Sequence, residues 1–210
     1  MLKFDRVLVL APHTDDGELG CGATIARLIE QGSEVFYAAF STADESVAAH
    51  FPKNQLELEV REATKILEIP QENLLIFKYQ VRKLNYVRQE ILEELIRIKP
   101  IIQPDLVLLP SSNDIHQDHR TIYEEGLRAF KFCSLFGYEL IWNNLSFSTD
   151  IFVEVEERHL QLKIKALEAY KTQENKPYMS PDFIRSMAVV RGVQTGKALA
   201  ESFENIRIFL

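Results

Sequence analysis

Two short stretches hold most of the residues able to do chemistry. "APHTDDGELGCGAT", residues 11–24, carries His13, Asp15, Asp16 and Glu18; "SSNDIHQDHR", residues 111–120, carries Asp114, His116, Asp118 and His119. Three of the chain's five histidines fall in them. Imidazoles and carboxylates gathered this densely suit a borderline divalent metal, Zn²⁺ above all, held by three protein ligands with an open position for water. Two histidines and one carboxylate also describe the Fe(II) triad of non-haem oxygenases. Taken singly the residues have plainer uses: Asp15 or Asp16 as the cap of a following helix, Asp118 as the cap of another, a lone histidine as a polar surface group. Capping asks for one Asp per helix and no histidine, so the joint pattern reads as a metal site. A metal-acidified water beside a carboxylate that removes its proton is equipped to hydrolyse an amide. Gly17, Gly20 and Gly22 permit tight turning and close helix packing.

The elements that must position these residues alternate along the chain. Apolar runs at Arg6 to Ala11, Val35 to Phe40, Asn73 to Tyr79 and Asp105 to Leu109 read as strands. Between them, Ile25, Leu28 and Ile29, then Val87, Ile91, Leu95 and Ile98, recur at helical spacing. Further on come a helix after Asp118, a strand near Glu139 to Trp142, a strand at Ile151 to Val155, a helix from Glu157 to Tyr170 and a loop from Thr172 to Pro181. This alternation predicts an α/β fold: a Rossmann-like three-layer αβα sandwich on a mostly parallel sheet, order 3-2-1-4-5 plus C-terminal additions. In that order strands one and four are neighbours at the switch point, and both chemical stretches leave the carboxyl ends of those strands. The two motifs are therefore expected to face each other.

At 210 residues, with 46% apolar residues, residues 1–210 fit a single domain. Net charge is −7 and no basic block occurs, which argues against nucleic acid or an anionic membrane surface as partner. Only Cys21 and Cys133 are present, so a reduced, cytoplasmic setting is expected, and no stretch reaches membrane-spanning length. A homo-oligomer is compatible with this composition.

The two motifs together resemble the LmbE-like, or PIG-L, N-acetylglucosaminyl deacetylases. The family's Pro-His-Pro-Asp-Asp and Gly-Gly-Thr elements are matched by Pro12-His13-Thr14-Asp15-Asp16 and Gly22-Ala23-Thr24. Its His-x-Asp-His is matched by His116-Gln117-Asp118-His119, and "RGVQTGKALAESF" is similar to its C-terminal signature. The resemblance implies metal binding by His13, Asp16 and His119, with Asp15 as general base. It makes His116 the group that protonates the leaving amine or steadies the oxyanion, oriented by Asp118. Thr14 and Ala23 depart from the usual Pro and Gly. Leu56 stands where the family often has a substrate-contacting Arg, so sugar recognition must be arranged differently. Arg82, Arg88, Gln173, Arg191 and Gln194 are the candidate substrate contacts, Arg191 on the resemblance alone. The implied activity is zinc-dependent removal of an N-acetyl group from an amino sugar or its conjugate, with Fe²⁺ as an admissible metal. The alternatives are a sugar-binding module that retains the metal without turnover, and a nucleotide-cofactor oxidoreductase. The second conflicts with carboxylates standing where pyrophosphate would lie.

Overall fold

The computed structural model describes residues Lys3 to Phe209. β1 (Arg6–His13) leads into α1 (Asp16–Glu30), followed by β2 (Glu34–Ser41), α2 (Gln55–Ile66), β3 (Leu74–Ile76), α3 (Arg88–Ile102), β4 (Leu106–Pro110) and α4 (Gln117–Phe130). The remaining elements are β5 (Ser134–Tyr138), β6 (Ile151–Glu154), α5 (Glu157–Glu168), α6 (Pro181–Val193) and β7 (Ala200–Arg207). They form a seven-stranded sheet of order β3-β2-β1-β4-β5-β7-β6. The first five strands pair in parallel, and β7 runs antiparallel between β5 and β6. The expected order 3-2-1-4-5 with C-terminal additions is the observed one.

Burial on both faces explains the continuous apolar runs of the central strands. In β1, Val7, Val9 and Ala11 pack into the layer formed with α1, α2, α5 and α6, while Leu8 and Leu10 pack against α3 and α4. None of these five side chains is exposed.

Three elements depart from the sequence reading. The fifth strand is Ser134–Tyr138, not Glu139 to Trp142. Ser134 and Gly137 dilute its apolar signal, whereas beyond Leu140 the Asn143 and Asn144 amides fold back onto the Leu140 carbonyl at 2.8 and 3.1 Å and close a turn. Most of α6 lies in a stretch given no reading, between the loop and the C-terminal motif, and β7 begins within that motif. A Ser-Pro start announces α6: the Ser180 hydroxyl accepts the Phe183 N–H at 3.2 Å and Pro181 occupies the first turn.

α1 carries the main irregularity. At Cys21 the backbone leaves helical values (φ −147°, ψ 22°). The groups freed there are satisfied from the far end of the chain: the buried Lys163 ammonium donates to the Leu19 carbonyl at 2.7 Å, and Glu201 accepts the Ala23 and Thr24 N–H groups at 3.3 and 2.7 Å. Lys163 and Glu201 pair with each other at 2.6 Å. A Cβ on Gly20 would overlap the Tyr138 ring, and one on Gly17 would collide with Tyr37, so the glycines of the first motif permit close packing beneath the loop.

Glu201→Ala is expected to destabilise the protein by about 3–5 kcal/mol, because it strands a buried ammonium and uncaps a helix segment. A Lys163→Met/Glu201→Leu double variant recovers part of that loss. Urea unfolding of both checks this; a single variant within 1 kcal/mol of wild type, on the scale of an ordinary surface change, would refute it.

Candidate active site

The parallel pairing of Val7–Val9 with Leu106–Leu108 sets the carboxyl ends of β1 and β4 side by side. His13 is the last residue of β1, and Asp114, His116, Asp118 and His119 follow β4. Across this junction three donor atoms form a triangle. His13 Nδ1 lies 3.1 Å from Asp16 Oδ2, His119 Nε2 lies 3.3 Å from the same oxygen, and the two ring nitrogens are 3.3 Å apart. Bonds of ~2.0–2.1 Å to the corners of a tetrahedron hold neighbouring donors about 3.3 Å apart, so the triangle has the size that a tetrahedral divalent ion requires.

The second nitrogen of each histidine meets a carboxylate: His13 Nε2 meets Asp118 Oδ2 at 3.0 Å, and His119 Nδ1 meets Asp114 Oδ2 at 2.7 Å. This outer contact fixes which ring nitrogen faces the triangle. Asp118, with no exposed surface, also accepts the Arg82 and Leu84 backbone N–H groups at 2.6 and 3.2 Å. His116 adds a third imidazole, and ring nitrogens of His13, His116 and His119 all lie within 4.8 Å of one another.

The expected orientation of His116 by the Asp118 carboxylate is not what the structure has. The Asp118 backbone N–H donates to His116 Nδ1 at 3.2 Å, so the histidine caps α4, and the Asp118 carboxylate goes to His13 instead. With Nδ1 accepting, the proton of the neutral His116 ring sits on Nε2.

The adjacent aspartates differ in their bonding. Asp16 Oδ2 accepts the His13 N–H at 2.8 Å in addition to its two imidazole contacts. Asp15 stands at the N-cap of α1 without a side-chain cap bond, and among the described residues its carboxylate meets only its own backbone N–H. Burial, then the charge of Asp16, lifts Asp15 to about 6. Burial opposes ionisation of Asp16 as well, yet His119 and His13 hold it far below the carboxylate range. Burial works against charge on both histidines, but Asp16 and the outer carboxylates win and carry His13 to about 9 and His119 to about 10. Burial, followed by the charges of His119 and His13, brings His116 down to about 4. Behind the loop, burial pushes Glu18 up to about 8 against the opposing bonds from Tyr37 and Tyr170. The cluster is acidic and calls for positive charge.

A cavity of about 330 Å³ opens over the triangle. Arg82 and Gln173 line it, as the sequence suggested, and so does Leu56, whose buried side chain contributes an apolar wall. Arg82 has a left-handed backbone (φ 64°) and its guanidinium reaches Ser46 Oγ at 3.3 Å. Arg88 lies outside the cavity, on α3, where it bonds Glu125 at 2.7 Å and pairs with Glu124. Arg191 lies in an adjoining cleft, bonded to Glu139 at 3.0 Å and to Gln194 at 2.9 Å. The Asp114 contact to His119, and Asn143, Lys176 and Tyr178 on the cavity wall, were not assigned from the sequence. Asp114 had a signal in its place five residues before His119; the others sit on irregular segments with none.

The family model for PIG-L, GlcNAc-PI de-N-acetylase, matches residues 8–130, more than half of the chain. The chain belongs to this family. It is 29% identical over 176 residues to the uncharacterized deacetylase YaiS of Escherichia coli, covering 81% of this chain and 92% of that protein. It is 25% identical over 221 residues to the diacetylchitobiose deacetylase of Thermococcus kodakarensis, covering 93% and 81%. The solved N,N'-diacetylchitobiose deacetylase of Pyrococcus horikoshii has the same fold, with a TM-score of 0.80 at 22% identity over 96% of this chain and 83% of that one. The PIG-L match spans β1 through α4, and so takes in both motifs and every member of the triangle.

Arg88→Ala is expected to lower stability by about 1 kcal/mol, through lost bonds to the buried Glu125, without changing affinity for added Zn²⁺. Urea unfolding beside a Zn²⁺ titration checks this, and weakened Zn²⁺ binding would return Arg88 to the site.

Proposed function

We propose that the protein is a metal-dependent N-deacetylase that hydrolyses the acetamido group of an N-acetylated amino sugar or amino-sugar conjugate, releasing acetate and a free amine. The observation that carries this reading is the triangle of Asp16 Oδ2, His13 Nδ1 and His119 Nε2, with each imidazole braced by a second carboxylate. Membership of the PIG-L family and likeness to sugar deacetylases support it. His13, Asp16 and His119 would hold a Zn²⁺ or Fe²⁺ ion. Such an ion, when bound, supplies Lewis acidity toward water and toward an amide carbonyl.

The protein's own groups then divide the remaining work. Asp15, whose carboxylate has no side-chain hydrogen bond among the described residues, takes the proton of the attacking water as its oxygen adds to the acetyl carbon. As the C–N bond breaks, the same carboxyl group returns that proton to the leaving nitrogen. His116, with hydrogen on Nε2, donates to the developing oxyanion. Asp118 acts by holding His13 and the Arg82 backbone. Arg82 and Gln173 bind the hydroxyl-rich substrate from the cavity wall.

Acetate release from N-acetylhexosamines, nucleotide sugars and glycoside conjugates tests the activity directly. Asp15→Asn preserves shape but cannot accept a proton, so kcat falls by roughly 10²-fold or more with metal retained. Asp16→Asn and His119→Ala lose the metal and the activity together. Zinc stoichiometry measured beside kcat separates these roles, and the opposite pattern would exchange the two aspartates. Arg82→Ala raises KM, or lowers kcat/KM, at constant metal content. Unchanged kinetics on a turned-over substrate would place that guanidinium outside recognition.

A further inference from the structure

The two aspartates ride on a loop that is held from behind by groups the reaction does not use. The Thr14 carbonyl, in a residue 1% exposed, accepts phenol O–H groups from Tyr37 at 2.9 Å and from Tyr170 at 2.7 Å. Both phenols also meet the Glu18 carboxyl group, Tyr170 at 3.0 Å and Tyr37 in a still closer contact. The Tyr37 oxygen accepts the Gly17 N–H at 3.1 Å as well. The Thr14 carbonyl, the Glu18 carboxyl and the two phenols thus close a ring spanning residues 14 to 18. Tyr37 and Glu18 have no exposed surface, and Tyr170 is 1% exposed. None of these three side chains lines the cavity.

The ring bears unequally on the two aspartates. Asp16 is fixed by its own bonds to the His13 N–H and to two imidazoles. Among the described residues Asp15 has no side-chain hydrogen-bond partner, so the place from which its carboxylate reaches out is set by the backbone that carries it. A peptide group turns as one planar unit, so holding the Thr14 carbonyl holds the Asp15 N–H and restricts the Asp15 φ angle. Each phenol has one O–H, shared between the Thr14 carbonyl and the Glu18 carboxyl group, so a swing of the Thr14–Asp15 peptide strands the buried carbonyl while the phenols fall back on Glu18. We propose that Tyr37, Tyr170 and Glu18 are positioning residues for the hydrolysis, aiming the Asp15 carboxylate at the water it deprotonates. This rests on the deacetylase reading above. The cavity segment beyond Tyr170 has a separate anchor, the Thr172 N–H and hydroxyl on Glu59 at 3.1 and 2.6 Å. Loss of one phenol oxygen therefore acts on the Thr14 side first.

The test compares Tyr37→Phe, Tyr170→Phe, Glu18→Leu and Glu18→Gln with wild type in kcat, KM, metal stoichiometry and melting temperature. It adds amide hydrogen exchange across residues 14 to 18 in metal-free protein. Each Phe variant should lower kcat about 10-fold, since misplacement of a reacting group by ~1 Å costs up to 10²-fold. KM should stay within about twofold, metal content should be unchanged, and loop exchange should rise. Glu18→Gln keeps polar atoms in place to bond both phenols and should recover most of the activity that Glu18→Leu loses. Phe variants with wild-type kcat and exchange overturn the proposal. So does a loss of kcat that merely tracks loss of folded protein or metal, or a Glu18→Gln variant as impaired as Glu18→Leu. Wild-type protein inactive on every N-acetyl sugar would instead overturn the deacetylase reading, and loop exchange alone then decides whether the ring holds the peptide.

Discussion

One carboxylate oxygen, Asp16 Oδ2, stands against two imidazole nitrogens and a backbone N–H, and the site is organised around it. His13 and His119 approach each other to 3.3 Å between ring nitrogens, a contact that positive charge on both rings would oppose. It persists because Asp16 lies between them and because Asp118 and Asp114 pull on the outer nitrogens. The same carboxylates lift both imidazoles to about 9 and about 10 despite burial. Protons on these rings and a divalent ion in the triangle are two answers to one electrostatic demand. An ion held there would displace the protons, so its binding would be coupled to pH.

Such a cluster is costly to assemble, and the surrounding structure carries that cost in identifiable places. Arg82 holds a left-handed backbone (φ 64°), unusual for a residue with a Cβ, and its N–H is the shortest of the bonds to Asp118. α1 breaks at Cys21, where Lys163 and Glu201 take up the freed backbone groups. The C-terminal Ala-Glu-x-Phe therefore has a physical meaning: Glu201 caps the second half of the helix whose first half opens with Asp16.

The parallel sheet and its order were legible because buried central strands are long apolar runs and the intervening helices keep their period. The meeting of the two motifs was legible from the switch-point rule, and the β1–β4 pairing bears it out. What could not be read is what depends on side-chain direction. The Asp118 carboxylate serves His13 rather than His116, because the first turn of α4 turns its backbone N–H, not its carboxyl group, toward the His116 ring. Arg88 and Arg191 were candidate substrate contacts, but each faces a carboxylate, Glu125 or Glu139, that is remote in sequence. The fifth strand was misplaced because Ser134 and Gly137 weaken its pattern; α6 was missed because exposed Val189, Val190 and Val193 blur its apolar stripe, and β7 because polar Glu201 and Ser202 stand in its buried half.

A strand, a tight loop and a glycine-spaced helix usually present free backbone N–H groups to a phosphate, with the positive end of the helix dipole behind them. Here that geometry is kept and its polarity reversed. The Gly17 N–H is spent on the Tyr37 phenol, and the Leu19 N–H on the Asp15 carbonyl. The helix start instead bears two carboxylates, Asp15 and Asp16, which the dipole stabilises in their charged form. A phosphate at this end would meet two carboxylates, whereas a cation would meet one carboxylate within the triangle and another beside it. On the function proposed above, the fold that elsewhere cradles an anion becomes a cation site through the residues of one loop, and the roles proposed for Asp16 and Asp15 rest on how many bonds each already makes.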